Sequence, residues 1–166
     1  MRKTVLYTLL FALSIAMRPQ SLDIGTLRPV QLVSIYREDE WIVIETDTDD
    51  QGRGGNVHEA IQNLKDTTPG TIYLDTADYL VVRPDTQNVI SEISLYLKEN
   101  VRICSSIGGI TPIDAANYLS AHPPRTNMRE WRKNVELEVL QYDGMKLRLK
   151  NRKKIKIMLD KVNCIC

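Results

Sequence analysis

Asn56-Val-His-Glu-Ala-Ile-Gln-Asn-Leu-Lys65, followed by Pro69-Gly70 and Thr71-Ile-Tyr-Leu74, is the stretch that decides the fold class. Val57, Ala60, Ile61 and Leu64 recur at the spacing that lines one face of a helix. Asn56 stands where an N-cap is needed, and Glu59 lies three residues on, so the first free N–H groups have acceptors at hand. Pro69-Gly70 stops the helix, and a β-rich run resumes at once. A helix with one apolar stripe has to bury it, and the runs on either side are strands. The pattern predicts an α+β domain: a small mixed sheet with about three helices packed on it, followed by a three-stranded antiparallel meander.

Upstream, Val30–Tyr36 and Trp41–Thr46 read as two strands of a hairpin turned by the charged Arg37-Glu-Asp-Glu40. Asp47–Gly55 reads as a polar, Gly-rich loop. Downstream, Tyr79–Val82 is a short strand. A helix capped by Asp85 or Thr86 runs to Lys98, with Val89, Ile90, Ile93 and Leu97 inward. Val101–Ser105 is a further strand, and Gly108-Gly109 turns the chain. Thr111-Pro112-Ile-Asp114 carries a cap, a first-turn proline and an early acid, and predicts a helix to about Ala121, ahead of Pro123-Pro124.

The remainder changes character. Val135–Val139, Met145–Lys150 and Lys154–Met158 alternate apolar and polar residues, and Asp143-Gly144 is a strong hairpin signal. The meander is apolar on one face and basic on the other, and its apolar face has to cover the preceding unit. The predicted organisation is a signal segment over 1–16, a leader arm over 17–29, an α/β domain over 30–121, a linker over 122–134, a β-meander appendage over 135–163 and a Cys-containing tail over 164–166.

With 166 residues, one domain is the default. Aromatic residues are only 6 %, so the core has to be built mostly of Ile, Leu and Val. The net charge of +1 hides an asymmetry. Acids strongly outnumber bases between Arg37 and Asp78, whereas Lys146, Arg148, Lys150, Arg152, Lys153, Lys154 and Lys156 crowd the meander. Such a split suits a protein partner, an anionic membrane surface or a second copy of the chain, against the plainer reading of a solvated face. Nucleic acid is not expected, because the basic strands lack the aromatic residues on which bases stack.

Met1-Arg2-Lys3 followed by the apolar run Thr4–Ala16, with Ser14-Ile15-Ala16 small or apolar at its end, has the three-part pattern of an export signal. The run is shorter than a comfortable membrane span, so cleavage is favoured over an uncleaved anchor, and the expected location is extracytoplasmic, secreted or membrane-associated. Cys104 sits in a strand-like run and reads as a small buried hydrophobe. Cys164 and Cys166 can pair locally, link two copies or hold a soft metal.

Reactive groups are thin. Asp47 and Asp49 fall at the first and third positions of a calcium loop, with Asp50 beside them and Gly52 at the sixth, so Asp47, Asp49 and Asp50 are candidate metal ligands. Gln51 and His58 occupy the fifth and twelfth positions, where acids are wanted. Gly52-Arg-Gly-Gly55 ahead of a helix has the form of an anion cradle but lacks a P-loop Lys-Ser/Thr. His58 reads as a surface residue and His122 as a linker residue. No catalytic residues and no cofactor are expected, and the chain is read as a binding or assembly protein. A small secreted ligand- or calcium-binding domain is the alternative, and an enzyme whose site converges only in three dimensions is a third.

From Leu32 to Leu119 the order of elements resembles the N-terminal domain of the spore germination receptor C-subunit family, written Ger(x)C. Two strands lead to a helix with Ala60-Ile-Gln-Asn-Leu64; Thr68-Pro-Gly-Thr-Ile-Tyr-Leu74 follows, then the strand Tyr79–Val82, a helix, Asn100-Val-Arg-Ile-Cys-Ser105 and a short Ala-containing helix. The resemblance covers a little over half of the chain. It implies an extracytoplasmic accessory protein of a spore-forming bacterium, acting in assembly or receptor organisation, with no catalytic residues to carry over. The family's lipoprotein Cys after the signal has no counterpart here, and the family's chains are about twice as long.

Overall fold

The computed structural model describes residues 27–133 and 135–150. The expected signal segment, most of the leader arm, the third meander strand, Arg152, Lys153, Lys154, Lys156 and the Cys164–Cys166 tail lie outside the described residues.

The fold is α+β. In chain order the strands are β1 (Leu27–Pro29), β2 (Leu32–Glu38), β3 (Trp41–Thr46), β4 (Gln51–Gly54), β5 (Thr71–Tyr73), β6 (Tyr79–Val82), β7 (Arg102–Ser106), β8 (Val139–Asp143) and β9 (Lys146–Lys150). The helices are α1 (Val57–Thr67), α2 (Ile90–Ile93), α3 (Pro112–Ala121) and α4 (Met128–Trp131). Seven strands form one sheet in the order β4-β3-β2-β6-β7-β8-β9, while β1 and β5 pair separately and parallel. The middle of the sheet, β2-β6-β7-β8, is parallel. Both margins are antiparallel.

Strand alternation sends side chains to two cores. On one face Val33, Ile35, Ile44, Leu80, Val82 and Ile103 meet Ala60, Ile61 and Leu64 of α1 and Ile90 and Ile93 of α2. On the other, Leu32, Val81, Cys104 and Leu140 lie under Ala115, Ala116 and Leu119 of α3, with Leu147 and Leu149 packed alongside. Removing one of these fully buried Ile or Leu side chains costs about 2–5 kcal/mol, because the vacated space only partly collapses.

The cap at Asn56 forms as expected: its side chain accepts from Glu59 N–H at 2.9 Å. Thr111 likewise accepts from Asp114 N–H, which starts α3. Five expectations change. The end of the leader arm, Leu27–Pro29, is strand β1 against β5. The Asp47–Gly55 loop contains edge strand β4, because Gly52 and Gly54 let α1 lie directly on the strand backbone. A Cβ on Gly52 would sit 2.5 Å from Leu64 N, and one on Gly54 2.6 Å from Glu59 C.

The Asp85–Lys98 helix is a 3₁₀ segment, Pro84–Val89, followed by the single turn α2. Thr86 and Ser94 hydroxyls donate to nearby carbonyls at Arg83 and Ser91, competing with regular helix bonds. Val89, Ile90, Ile93 and Leu97 still turn inward. The linker over 122–134 contains α4, opened by a reciprocal Asn127–Glu130 capping box with Met128 buried. Finally, the strand expected at Val135–Val139 begins at Val139. Thr126 and Asn127 occupy the first half of the β7 edge, through Ile103 N–H to Thr126 O and an Arg102–Asn127 bridge, so β8 pairs only with Ser105 and Ser106. The β8–β9 hairpin is thereby part of the main sheet, with its apolar face on the α3 core as the alternation required.

Candidate functional site

The acidic loop is held by its own structural bonds. Asp47 Oδ1 accepts from the N–H groups of Gln31 and Leu32 at 3.0 and 2.9 Å, fixing the start of β2. Asp50 binds Arg28 with both carboxylate oxygens at 3.1 Å and accepts from Thr48 at 2.7 Å. Asp49 adopts a positive φ of 65° in the turn and is exposed. Among the described residues no three His, Cys, Asp or Glu side chains are grouped to hold a metal ion. Asp47 and Asp50 of the expected metal set thus serve a tight turn that clamps β1 and β2, with Asp49 exposed beside them. The Gly52–Gly55 anion cradle is likewise closed: Arg53 N–H donates to Asn63 Oδ1 and Gly55 N–H to Glu59 Oε2, each at 2.9 Å.

The histidines and Cys104 stand apart. His58 Nδ1 shares a hydrogen bond of 2.8 Å with the Tyr96 hydroxyl on the α1 face. His122 ends α3 and stacks on Tyr118, ring centroids 4.7 Å apart. Cys104 is fully buried on the other side of the sheet, and burial pushes its thiol pKa up, with Glu138 adding to the effect. A buried thiol kept protonated is a poor nucleophile.

Two features remain. The first is a cleft of about 640 Å³ between the β2–β4 face and the start of α3. Carboxyl ends of β2, β6 and β7 open toward it through Tyr36, Arg83 and the turn Gly109–Thr111. In sheets with parallel strands, ligands favour this end, where the chain crosses from one face to the other. Here the chain leaves β7 and places α3 on the face opposite α1 and α2. Tyr36 O–H donates to Glu45 Oε1 at 2.6 Å, and Gln51 Nε2 donates to both, at 3.2 and 2.9 Å. Arg83 lies over the Tyr36 ring at 4.2 Å. Burial first, then donation to the Glu45 carboxylate, pushes the Tyr36 phenol up to about 12. Sequence reading missed this cleft: Tyr36, Gln51 and Asp114 are scattered over three elements, Arg83 lies just after a fourth, and no local motif joins them.

The second is the β8–β9 hairpin. Lys146, Arg148 and Lys150 alternate along β9 and point to one side, opposite Leu147 and Leu149. Asp143 across the hairpin serves two of them, Arg148 at 3.5 Å and Lys150 at 3.4 Å. Three of the seven expected partner-binding bases are therefore brought together in one row. Comparison with protein-family models, curated proteins and solved structures found no match.

Proposed function

We propose that the chain is an exported, non-enzymatic assembly or receptor-accessory domain that works in bacterial sporulation or spore germination and meets an anionic partner. The observation that carries this reading is the basic row of β9, where Lys146, Arg148 and Lys150 line one side of the strand and Asp143 pairs with the last two. The export pattern of Met1–Ala16 and the Ger(x)C-like order of elements between Leu32 and Leu119 support the extracytoplasmic and germination parts of it. The histidines and Cys104 take part in local packing and bonding, which supports a binding role over a catalytic one.

The test is fractionation of the source organism with an antibody to the folded domain, followed by cross-linking. The expected result is a chain outside the cytosol, shorter than the encoded one or held at a membrane, and cross-linked into a larger assembly. A cytosolic monomer that retains Met1 overturns the reading.

A second reading, a small ligand-binding domain, is favoured by the cleft, which offers both signs of charge through Arg83, Glu45 and Asp114 beside apolar Ile110 and Ile113. The calcium version of that reading is the less favoured one, because Asp47 and Asp50 oxygens already accept from Leu32 N–H and Arg28.

A further inference from the structure

We infer that the β8–β9 hairpin is a membrane-docking element: Met145 enters an anionic lipid surface while Lys146, Arg148 and Lys150 lie against its phosphates. The inference rests on the reading of β9 as the partner surface and names the partner.

The tip has the shape for it. Asp143-Gly144-Met145-Lys146 closes the hairpin, with Gly144 in the left-handed region at φ 64°. Met145 is 100 % exposed, which leaves an unbranched apolar side chain in water at the tip of the hairpin. Exposed single apolar residues are common. This one is flanked by the start of a basic row, while Tyr142 lies on the other face of the hairpin with Leu147, its hydroxyl donating to Asp114 Oδ2 at 3.4 Å. An apolar tip with bases behind it forms the order that a headgroup layer accepts: the apolar group passes inward and the bases stay at the phosphates. Arg129, Arg132 and Lys133 are exposed on and just after α4, whose Met128 belongs to the same sheet face as the basic row. An acidic protein satisfies the charges equally well but has to supply a pocket for Met145, whereas a fluid lipid layer needs none.

The experiment uses the full chain and phosphatidylcholine vesicles with and without phosphatidylserine. Because residues 4–16 also favour lipid, the readout is local: Met145→Trp is introduced together with Trp41→Phe and Trp131→Phe, and emission is followed. The expected result is a blue shift on phosphatidylserine vesicles, quenching by brominated lipid, and loss of the shift between about 0.1 M and about 1 M salt, over which screening shortens to a few ångströms. Lys146→Glu in the otherwise native chain, folded by circular dichroism, is expected to lower vesicle affinity at least about fivefold, the effect of one basic residue near a charged leaflet. Vesicle binding without any change at position 145 overturns the inference, since other segments then make the contact. Binding of Lys146-dependent type to an acidic polypeptide but not to vesicles also overturns it, while leaving the accessory-domain reading intact. That reading stands or falls on location and cross-linking in the cell.

Discussion

The two margins of the seven-stranded sheet are closed by different physics. At the β4 margin, α1 presses onto Gly52 and Gly54 so closely that neither position has room for a methyl group. Its side chains also take up the strand's outward groups: Asn63 accepts from Arg53 N–H at 2.9 Å, and Thr67 donates to Gln51 O at 3.3 Å. At the β9 margin, among the described residues, a hydroxyl takes up a strand amide: Tyr118 of α3 accepts from Leu149 N–H at 3.1 Å. Open strand edges invite pairing with other chains. Among the described residues, one margin is therefore sealed by packing, and the other is pinned by a hydroxyl, with bases and an exposed methionine beside the pin.

The comparison breaks first at the glycines. Gly54→Ala places a Cβ against the backbone of Glu59, and Gly52→Ala places one against the backbone of Leu64, where no side-chain rotation relieves the overlap. Each is expected to lower stability by about 1–3 kcal/mol or more, as overpacked sites do. Arg148→Ala at the other margin, largely exposed, is expected to stay within about 0.5 kcal/mol of the parent. Urea unfolding of the three variants measures this. Equal losses at both margins would show that β4 is not held by steric fit.

The hydroxyl pin gives the next effect. Tyr118→Phe keeps the ring and its stacking on His122 but removes the acceptor for Leu149 N–H. A loss of about 1 kcal/mol is expected, typical for one hydrogen bond, with faster amide exchange at Leu149 and its neighbours on β9. Asn63→Ala is expected to cost a similar amount, yet α1 still covers β4, so exchange at Arg53 should rise while the rest of the strand stays protected. Exchange spreading along β4 in Asn63→Ala, or confined to one amide in Tyr118→Phe, reverses the assignment of sealed and pinned margins.

Much of this was legible from local pattern. Asn56, Glu59 and the stripe Val57, Ala60, Ile61, Leu64 specified α1 through interactions within a few residues, and Thr111-Pro112 did the same for α3. Asp143-Gly144 specified the hairpin, and the alternation after it specified which face would be basic. The reading failed where a neighbour distant in sequence decided the outcome. Gly52 and Gly54 look like loop residues until α1 is laid on them. Val135–Glu138 alternates well, but Thr126 and Asn127 already hold the edge it would need. Asn127 and Glu130 were a readable capping box inside a stretch whose prolines suggested a linker. The acidic loop shows a different limit: Asp47 and Asp49 have calcium-like spacing with Asp50 beside them, but the partners that occupy Asp47 and Asp50, Leu32 N–H and Arg28, lie fifteen and twenty-two residues away.

The smallest effect comes from protons. Gln51 ties the β4 margin to β2 through Tyr36 and Glu45, and the β9 margin has no part in that network. The Tyr36 phenol is raised from 10.0 to about 12 in the folded chain. Above pH 10 the unfolded chain gives up this proton more readily than the folded one does, so proton loss favours unfolding. The contribution is whole below pH 10 and is lost as pH climbs toward about 12. The informative quantity is the difference between the native chain and Tyr36→Phe. Stability of the native chain is expected to fall faster with pH than that of the variant, and exchange at β4 to rise before exchange at β9. Because the ring is only partly buried, solvent screening keeps the slope shallow. Parallel pH curves for the two proteins would mean that the phenol is not held by Glu45 in solution, and that the sealed margin owes its closure to the glycine–helix contact alone.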